Sequence, residues 1–485
     1  MPLPAPSLTR RRLLALLGTL PASRVLASPP RTAPRRGDAL PPAMAAALRR
    51  AGIPAAACSV VVQPLRARQP RLSVRADVPR NPASVLKLVP TYVALSQLGP
   101  AFRWHTPVYA VGTLRDGTLA GDLAFAGSGD PHLMADDLWR LLLRLRQFGL
   151  RRIDGNVLVD RSAFALAPHD PGAFDGDALA AYNVGPDAFL VNFDALRIDF
   201  APGADGRVGV AADPPLAGFA PAQAPRLDSG GCDAWKERLA ADFSAPLAPR
   251  FAGAYAASCG EQVWNLGSAL PRDSYLHALL GALFAQVGID WHGEVVDGRV
   301  PAGATRLDSW ASQPLAQIVR DINKFSNNVM AQQLFLTLAL QAGHTPADFA
   351  DAAAVTRQWL EAHALAMPDL RLDNGCGLSR DSRISADDLT RLLRAAWMGP
   401  VMPDFVASLP LAGYDGTLAS RYRNTPLAGL VRAKTGTLRD VLALAGYVQT
   451  ADGARSSVVA LINDPRAERG WDAIDALLEH TLGLG

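Results

Sequence analysis

Apolar and polar positions fall into three textures along the chain. Residues 42–51 repeat at helical spacing, and two short apolar runs, 57–62 and 72–74, follow as predicted strands around an arginine-rich turn. A helix is predicted to open near Pro82 and to run to about Leu98. Between about 100 and 270 the pattern changes to short alternating runs broken by Gly, Pro and Asp, at 113–119, 122–126, 155–160, 195–200 and 207–211, which predicts a β-rich module. Helical patterns return at 275–287, 315–320, 329–342 and 347–362. The chain then alternates again, with strands predicted at 430–434, 441–448 and 456–462. Asp452-Gly453 stands between the last two as a hairpin signal. Two helix-plus-sheet regions around a β-rich middle are most simply one discontinuous domain, residues 28–99 and 271–485, interrupted by an insertion over 100–270. The fold class expected is α/β in the α+β sense, an antiparallel sheet with helices.

Length and charge narrow the field. A chain of 485 residues with 49% hydrophobic content and a net charge of +3 folds as an ordinary globular protein and carries no nucleic-acid signature. Residues 1–27 read as an export signal: Arg10, Arg11 and Arg12 precede an apolar run, and Val25-Leu26-Ala27 offers a small-residue cleavage site. The arginines fit a twin-arginine signal as well as an ordinary secretory one. No later stretch reaches the ~20 apolar residues of a membrane span, so the mature protein is expected to be soluble or peripheral. Residues 471–484 are expected to form a packed terminal helix. Of the four cysteines, Cys232 and Cys259 lie nearest in sequence and are the pair expected to join in an oxidising compartment. The eight histidines show no metal-ligand spacing, and neither a metal nor a cofactor is expected.

Only four of the 48 basic residues are lysine: Lys87, Lys236, Lys324 and Lys434. Ser84-Val85-Leu86-Lys87 puts a hydroxyl and an amine one helical turn apart, and an amine, unlike a guanidinium, can lose its proton when desolvated and so serve a serine as base. Taken alone, that spacing more often describes a solvated lysine on a helix. Lys434-Thr435-Gly436-Thr437 ends a predicted strand, where a cation and hydroxyls could meet a carboxylate and Gly436 could admit a substrate backbone. Ser326-Asn327-Asn328 opens a predicted helix. Ser326 could be its N-cap, or Ser326 and Asn328 could project a hydroxyl and an amide into one cleft. Lys324 reads as a surface lysine.

In the order Ser-x-x-Lys, Ser-x-Asn, Lys-Thr-Gly, these motifs together resemble the penicillin-recognising serine enzymes. The separation of 242 positions from Ser84 to Ser326 narrows the resemblance to the class C low-molecular-mass penicillin-binding proteins, the D-alanyl-D-alanine carboxypeptidase/endopeptidase family, in which an insertion interrupts the transpeptidase-like domain at this place. Further segments resemble that family: Gly127-Ser128-Gly129-Asp130-Pro131, Gly377-Leu378-Ser379-Arg380 and Ala412-Gly413-Tyr414-Asp415-Gly416-Thr417-Leu418. The sequence departs from the family pattern Asp-Gly-Ser-Gly at Asn374-Gly375-Cys376-Gly377, which puts any role of that acid or hydroxyl in question. Pro90, inside the predicted Ser84 helix, should kink it.

The resemblance implies Ser84 as nucleophile and Lys87 as its base. It implies Ser326 as proton shuttle, Asn328 on the substrate amide, and Lys434, Thr435, Gly436 and Thr437 at the terminal carboxylate. Peptidoglycan stem peptides are then the substrate, β-lactams inhibitors and the periplasm the compartment. Carboxypeptidase and endopeptidase activity, and the oligomeric state, stay open. A serine β-lactamase or esterase, or a non-catalytic wall-binding protein, are the competing readings.

Overall fold

The computed structural model describes residues 39–450 and 452–483, so the predicted export signal lies outside the described residues. Both ends of the chain build one five-stranded antiparallel sheet. β1 (Cys58–Pro64) and β2 (Leu72–Val74) come from the N-terminal side, and β3 (Val431–Leu438), β4 (Val441–Gln449) and β5 (Arg455–Asn463) from the C-terminal side. The order is β3-β4-β5-β1-β2, with Val60 of β1 opposite Ala460 of β5. β4 is almost wholly apolar because both of its faces are covered. Successive side chains alternate between the faces. Val61, Ala443, Ala445 and Leu461 enter a core with α2 (Leu88–Leu98), α3 (Leu315–Phe325), α4 (Asn328–Gln341) and α5 (Ala386–Met398). Val60, Leu442, Leu444 and Ala460 enter another, under α1 (Pro42–Ala51) and the terminal α6 (Trp471–Leu482). The β4–β5 turn is the expected hairpin, with Gly453 at φ +81°.

The residues between α2 and α3 have a core of their own. A mixed sheet that includes His105–Arg115, Thr118–Ala126 and Thr305–Ala311 is packed by helices Ala135–Gln147 and Arg272–Val287, and two three-stranded sheets complete this portion. Cys232 and Cys259 are disulfide-bonded, as expected, with Cα atoms 4.9 Å apart. Two expectations are corrected. The strand predicted across 113–119 is instead a hairpin: Asp116 and Gly117 have φ of 48° and 83°, the positive values a two-residue turn requires, and Arg115 faces Thr118. The middle portion also contains a long helix, whose Leu138, Leu141, Leu142 and Leu145 form one apolar stripe at 3.6-residue spacing.

Candidate active site

The segment bearing Ser84 is not one continuous α-helix. Ala83–Lys87 form a 3₁₀ turn, and the α-helix begins at Leu88. In a 3₁₀ turn residues i and i+3 eclipse, so Ser84 and Lys87 stand one above the other, and Lys87 Nζ donates to Ser84 Oγ at 2.9 Å. Pro90 then falls in the first turn of α2, where a missing N–H costs no intrahelical bond, and the expected disruption is absorbed by the change of helix type.

The turn is clamped from several sides. Ala83 has φ +46°, an unfavourable conformation for an alanine that the surroundings must enforce. Asn81 Oδ1 accepts from Ala83 N at 2.9 Å and Asn81 Nδ2 donates to the Ser379 carbonyl at 2.8 Å. The amide of Asn463, at the end of β5, brackets the backbone of Asn81 with two bonds of 2.9 Å. Two glycines close the clamp. A Cβ on Gly377 would lie 2.0 Å from the Ala83 carbonyl oxygen, and one on Gly436 would lie 2.4 Å from that of Pro82. Gly436 is therefore small enough to seat the Ser84 turn against β3, a requirement separate from the expectation that it admits a substrate backbone.

Lys87 is fully buried. Its Nζ donates to Asn328 Oδ1 and to the Cys376 carbonyl, both at 2.7 Å, besides Ser84. Asn328 Nδ2 donates to the Tyr182 carbonyl at 3.0 Å, which fixes the amide with its oxygen toward Lys87. Burial lowers the Lys87 pKa from 10.5 to about 8. The Cys376 thiol opposes this only when ionised, and its own burial pushes its pKa up. Cys376 serves through its backbone, so the departure from the family's serine leaves this contact intact. Asn374 Oδ1 in turn accepts from the N–H groups of Cys376 and Gly377, both at 3.1 Å.

Ser326 is not a helix N-cap. It ends α3 at φ +59°, in the left-handed region, and Asn327 caps α4 by accepting from Met330 N at 3.0 Å. The tight α3–α4 corner turns the Ser326 hydroxyl to Lys434, whose Nζ donates to it at 2.8 Å and to the Thr435 carbonyl at 2.8 Å. Lys434 is fully buried, and its pKa is driven well down by burial and by the charge of Lys87. β3 is an edge strand. Residues 410–412 cover its first half, where Ala433 N–H donates to Pro410 O. By the alternation of the ladder, Thr435 and Thr437 also turn N–H and C=O to that free edge. Thr435 Oγ1 lies 2.8 Å from Thr417 Oγ1, and Thr437 is exposed. The structure thus brings Ser84, Lys87, Ser326, Asn328 and the Lys434–Thr437 strand to one place. Sequence reasoning missed Asn81, Asn463, Thr417 and the carbonyls of Tyr182 and Cys376.

Lys324 is buried, not on the surface. Its Nζ donates to the Leu409 carbonyl and to both oxygens of Asp415, at 2.8 and 2.6 Å. Burial lowers its pKa, while Asp415 works to raise it. Burial also acts to raise the Asp415 pKa, but hydrogen bonds from Lys324 and Leu411 N–H outweigh it and hold the carboxylate below its usual range. The pair fixes the end of α3 two residues before Ser326. Asp415→Asn removes the charge that partners the buried Lys324 and, because the Asp415 side chain is itself partly exposed, is expected to lower the unfolding free energy by about 1 kcal/mol in denaturant titrations.

A profile of the D-Ala-D-Ala carboxypeptidase 3 (S13) family matches residues 41–481. The D-alanyl-D-alanine carboxypeptidase DacB of Haemophilus influenzae is 26% identical over 396 residues, 79% of this chain and 80% of that protein. The D-alanyl-D-alanine carboxypeptidase of an Actinomadura species is 29% identical over 395 residues, 77% of this chain and 71% of that one. The crystal structure of penicillin-binding protein 4 from H. influenzae superposes with a TM-score of 0.72 at 22% identity, covering 90% of this chain and 99% of that one. The fold is accordingly that of the penicillin-recognising serine enzymes. The chain belongs to the D-Ala-D-Ala carboxypeptidase 3 (S13) family, the low-molecular-mass penicillin-binding serine carboxypeptidases that act on peptidoglycan outside the cytoplasm.

Proposed function

We propose that this enzyme removes the terminal D-alanine of peptidoglycan stem peptides through an acyl-enzyme on Ser84, with Lys87 as base. The observation that carries the reading is the set of partners around Lys87 Nζ. A neutral amine has two N–H groups and one lone pair. The Asn328 amide oxygen and the Cys376 carbonyl, each 2.7 Å away, accept those two N–H groups, so that once the amine is neutral the 2.9 Å contact with Ser84 reverses and the hydroxyl donates to the lone pair. Burial supplies the neutral form near pH 8.

Ser84 Oγ attacks the D-alanyl carbonyl as Lys87 takes its proton. The backbone N–H groups of Ser84 and Thr437 face the oxyanion, a contribution of roughly a hundred- to a thousandfold in rate. Ser326, hydrogen-bonded by Lys434, hands a proton to the leaving amine, and Thr435 and Thr437 bind the terminal carboxylate. Asn328, besides holding Lys87, meets the substrate amide. Water then releases the acyl group. β-Lactams acylate Ser84 by the same steps and stay bound because their leaving group remains tethered.

The compartment in this reading is the periplasm, reached by a secretory or twin-arginine route. The inserted portion is best taken as 105–311 instead of 100–270, because helix Arg272–Val287 packs in its core and strand Thr305–Ala311 pairs with its sheet.

Incubation with a synthetic stem pentapeptide tests the reaction. Release of D-alanine, blocked by prior treatment with benzylpenicillin, is expected; no release would refute it. Gly436→Ala, which forces the Ser84 turn off β3, is expected to slow penicillin acylation about a hundredfold, the scale of a 1 Å misplacement. A fluorescent penicillin time course checks this.

A further inference from the structure

A cavity of about 290 Å³ opens beside the start of β3, and no residue of the three motifs lines it. The sheet forms its floor. Arg432 of β3 lies opposite Tyr447 of β4, and Gln449 of β4 lies opposite Arg455 of β5. By alternation along β3, Arg432 shares a face with Lys434, two positions later. Trp397, at the end of α5, and Met402, in the short helix Met402–Ser408, form the facing wall. The Trp397 and Tyr447 rings lean on one another with centroids 5.3 Å apart, and the Tyr447 hydroxyl donates to the Leu393 carbonyl at 2.7 Å. What these two residues offer the cavity is therefore apolar ring surface.

The charges in this apolar setting are of one sign. Arg432 is half-buried, and among the described residues its guanidinium has no hydrogen bond or ion pair and no acidic side chain lines the cavity. At the rim the Arg455 guanidinium lies 5.2 Å from the Trp397 ring centroid, held there by a 2.9 Å bond from its Nε to Gln449 Oε1. A half-buried cation left unpaired beside aromatic rings is costly for the protein alone and is relieved by an anion that fits, since charges interact more strongly away from water. A guanidinium meets a planar carboxylate with two parallel hydrogen bonds, and the rings suit an aromatic or aliphatic body. The volume is at the lower end of the range for ligand pockets, which calls for a compact molecule. We propose that this cavity is a second ligand site, separate from the Ser84 cleft, for a compact apolar carboxylate anchored by Arg432.

Calorimetric titration of the full chain with naphthalene-2-carboxylate, and with naphthalene-2-carboxamide as the uncharged control, tests the site. One carboxylate per chain is expected to bind, and the carboxamide to bind about tenfold or more weakly, the loss of one charge-assisted contact. Arg432→Gln is expected to bring the carboxylate down to the affinity of the carboxamide while leaving the carboxamide within about twofold of the parent, which certifies that the variant is folded. Met402→Trp fills the cavity and is expected to weaken both probes about tenfold or more, with benzylpenicillin acylation within about twofold of the parent. A chain first acylated with benzylpenicillin is expected to bind the carboxylate as the untreated chain does. No saturable binding, equal affinity for the two probes, undiminished carboxylate binding in either variant, or loss of binding on acylation overturns the site and leaves the Ser84 reading standing. A chain that takes up no penicillin overturns the Ser84 reading, and the titrations of the parent and the two variants still decide the site.

Discussion

Ser84→Ala is expected to lower D-alanine release about a millionfold, the scale on which removal of a serine nucleophile acts when the rest of its machinery depends on it. The size follows from the arrangement. Lys87, Asn328 and the 3₁₀ turn serve one oxygen atom, and without it no acyl-enzyme forms. Stability should barely change, because Ser84 is only partly buried and its hydroxyl makes one side-chain hydrogen bond, with Lys87. Steady-state assays with a stem pentapeptide, beside thermal melts of both proteins, check the two halves of this expectation.

Lys87→Arg is expected to cost about 10³- to 10⁴-fold in acylation, since general-base assistance of this kind is worth up to that much and a guanidinium cannot give up its proton. In the parent protein the acylation rate should rise with pH and level off above about 8, as the buried amine loses its proton. The same burial has a stability consequence of definite sign. The Lys87 pKa falls from 10.5 unfolded to about 8 folded, so the unfolded chain binds the proton more tightly between those values. Stability held back below about pH 8 therefore returns as pH rises toward 10.5. Lys87→Met should in consequence be inactive yet more stable than the parent at neutral pH, which denaturant midpoints measured at pH 7 would register.

The three motifs were legible in the sequence because the chemistry requires particular side chains: an amine that can be neutral, a hydroxyl within its reach, and a strand edge with a cation. The two-ended sheet was legible too, from apolar runs at both ends of the chain and a β-rich stretch between. What escaped is carried mostly by backbone atoms and by fit. The Tyr182 and Cys376 carbonyls leave no trace in side-chain identity, yet they orient the base. Lys324 looked like a surface lysine because its partner Asp415 is 91 positions away. The Ser326 corner reads like a cap, since a serine before a helix is ordinarily one, and only the left-handed φ shows otherwise. Helix Ala135–Gln147 differs from these. Its leucine stripe is plain in the sequence, and the surrounding β texture obscured it.

The most direct test of the account is intact-protein mass spectrometry of the parent chain and of Ser84→Ala after exposure to benzylpenicillin. The prediction is one added penicilloyl mass on the parent, mapped to the peptide containing Ser84, and none on the variant. An unmodified parent, or an adduct that survives in Ser84→Ala, would contradict it.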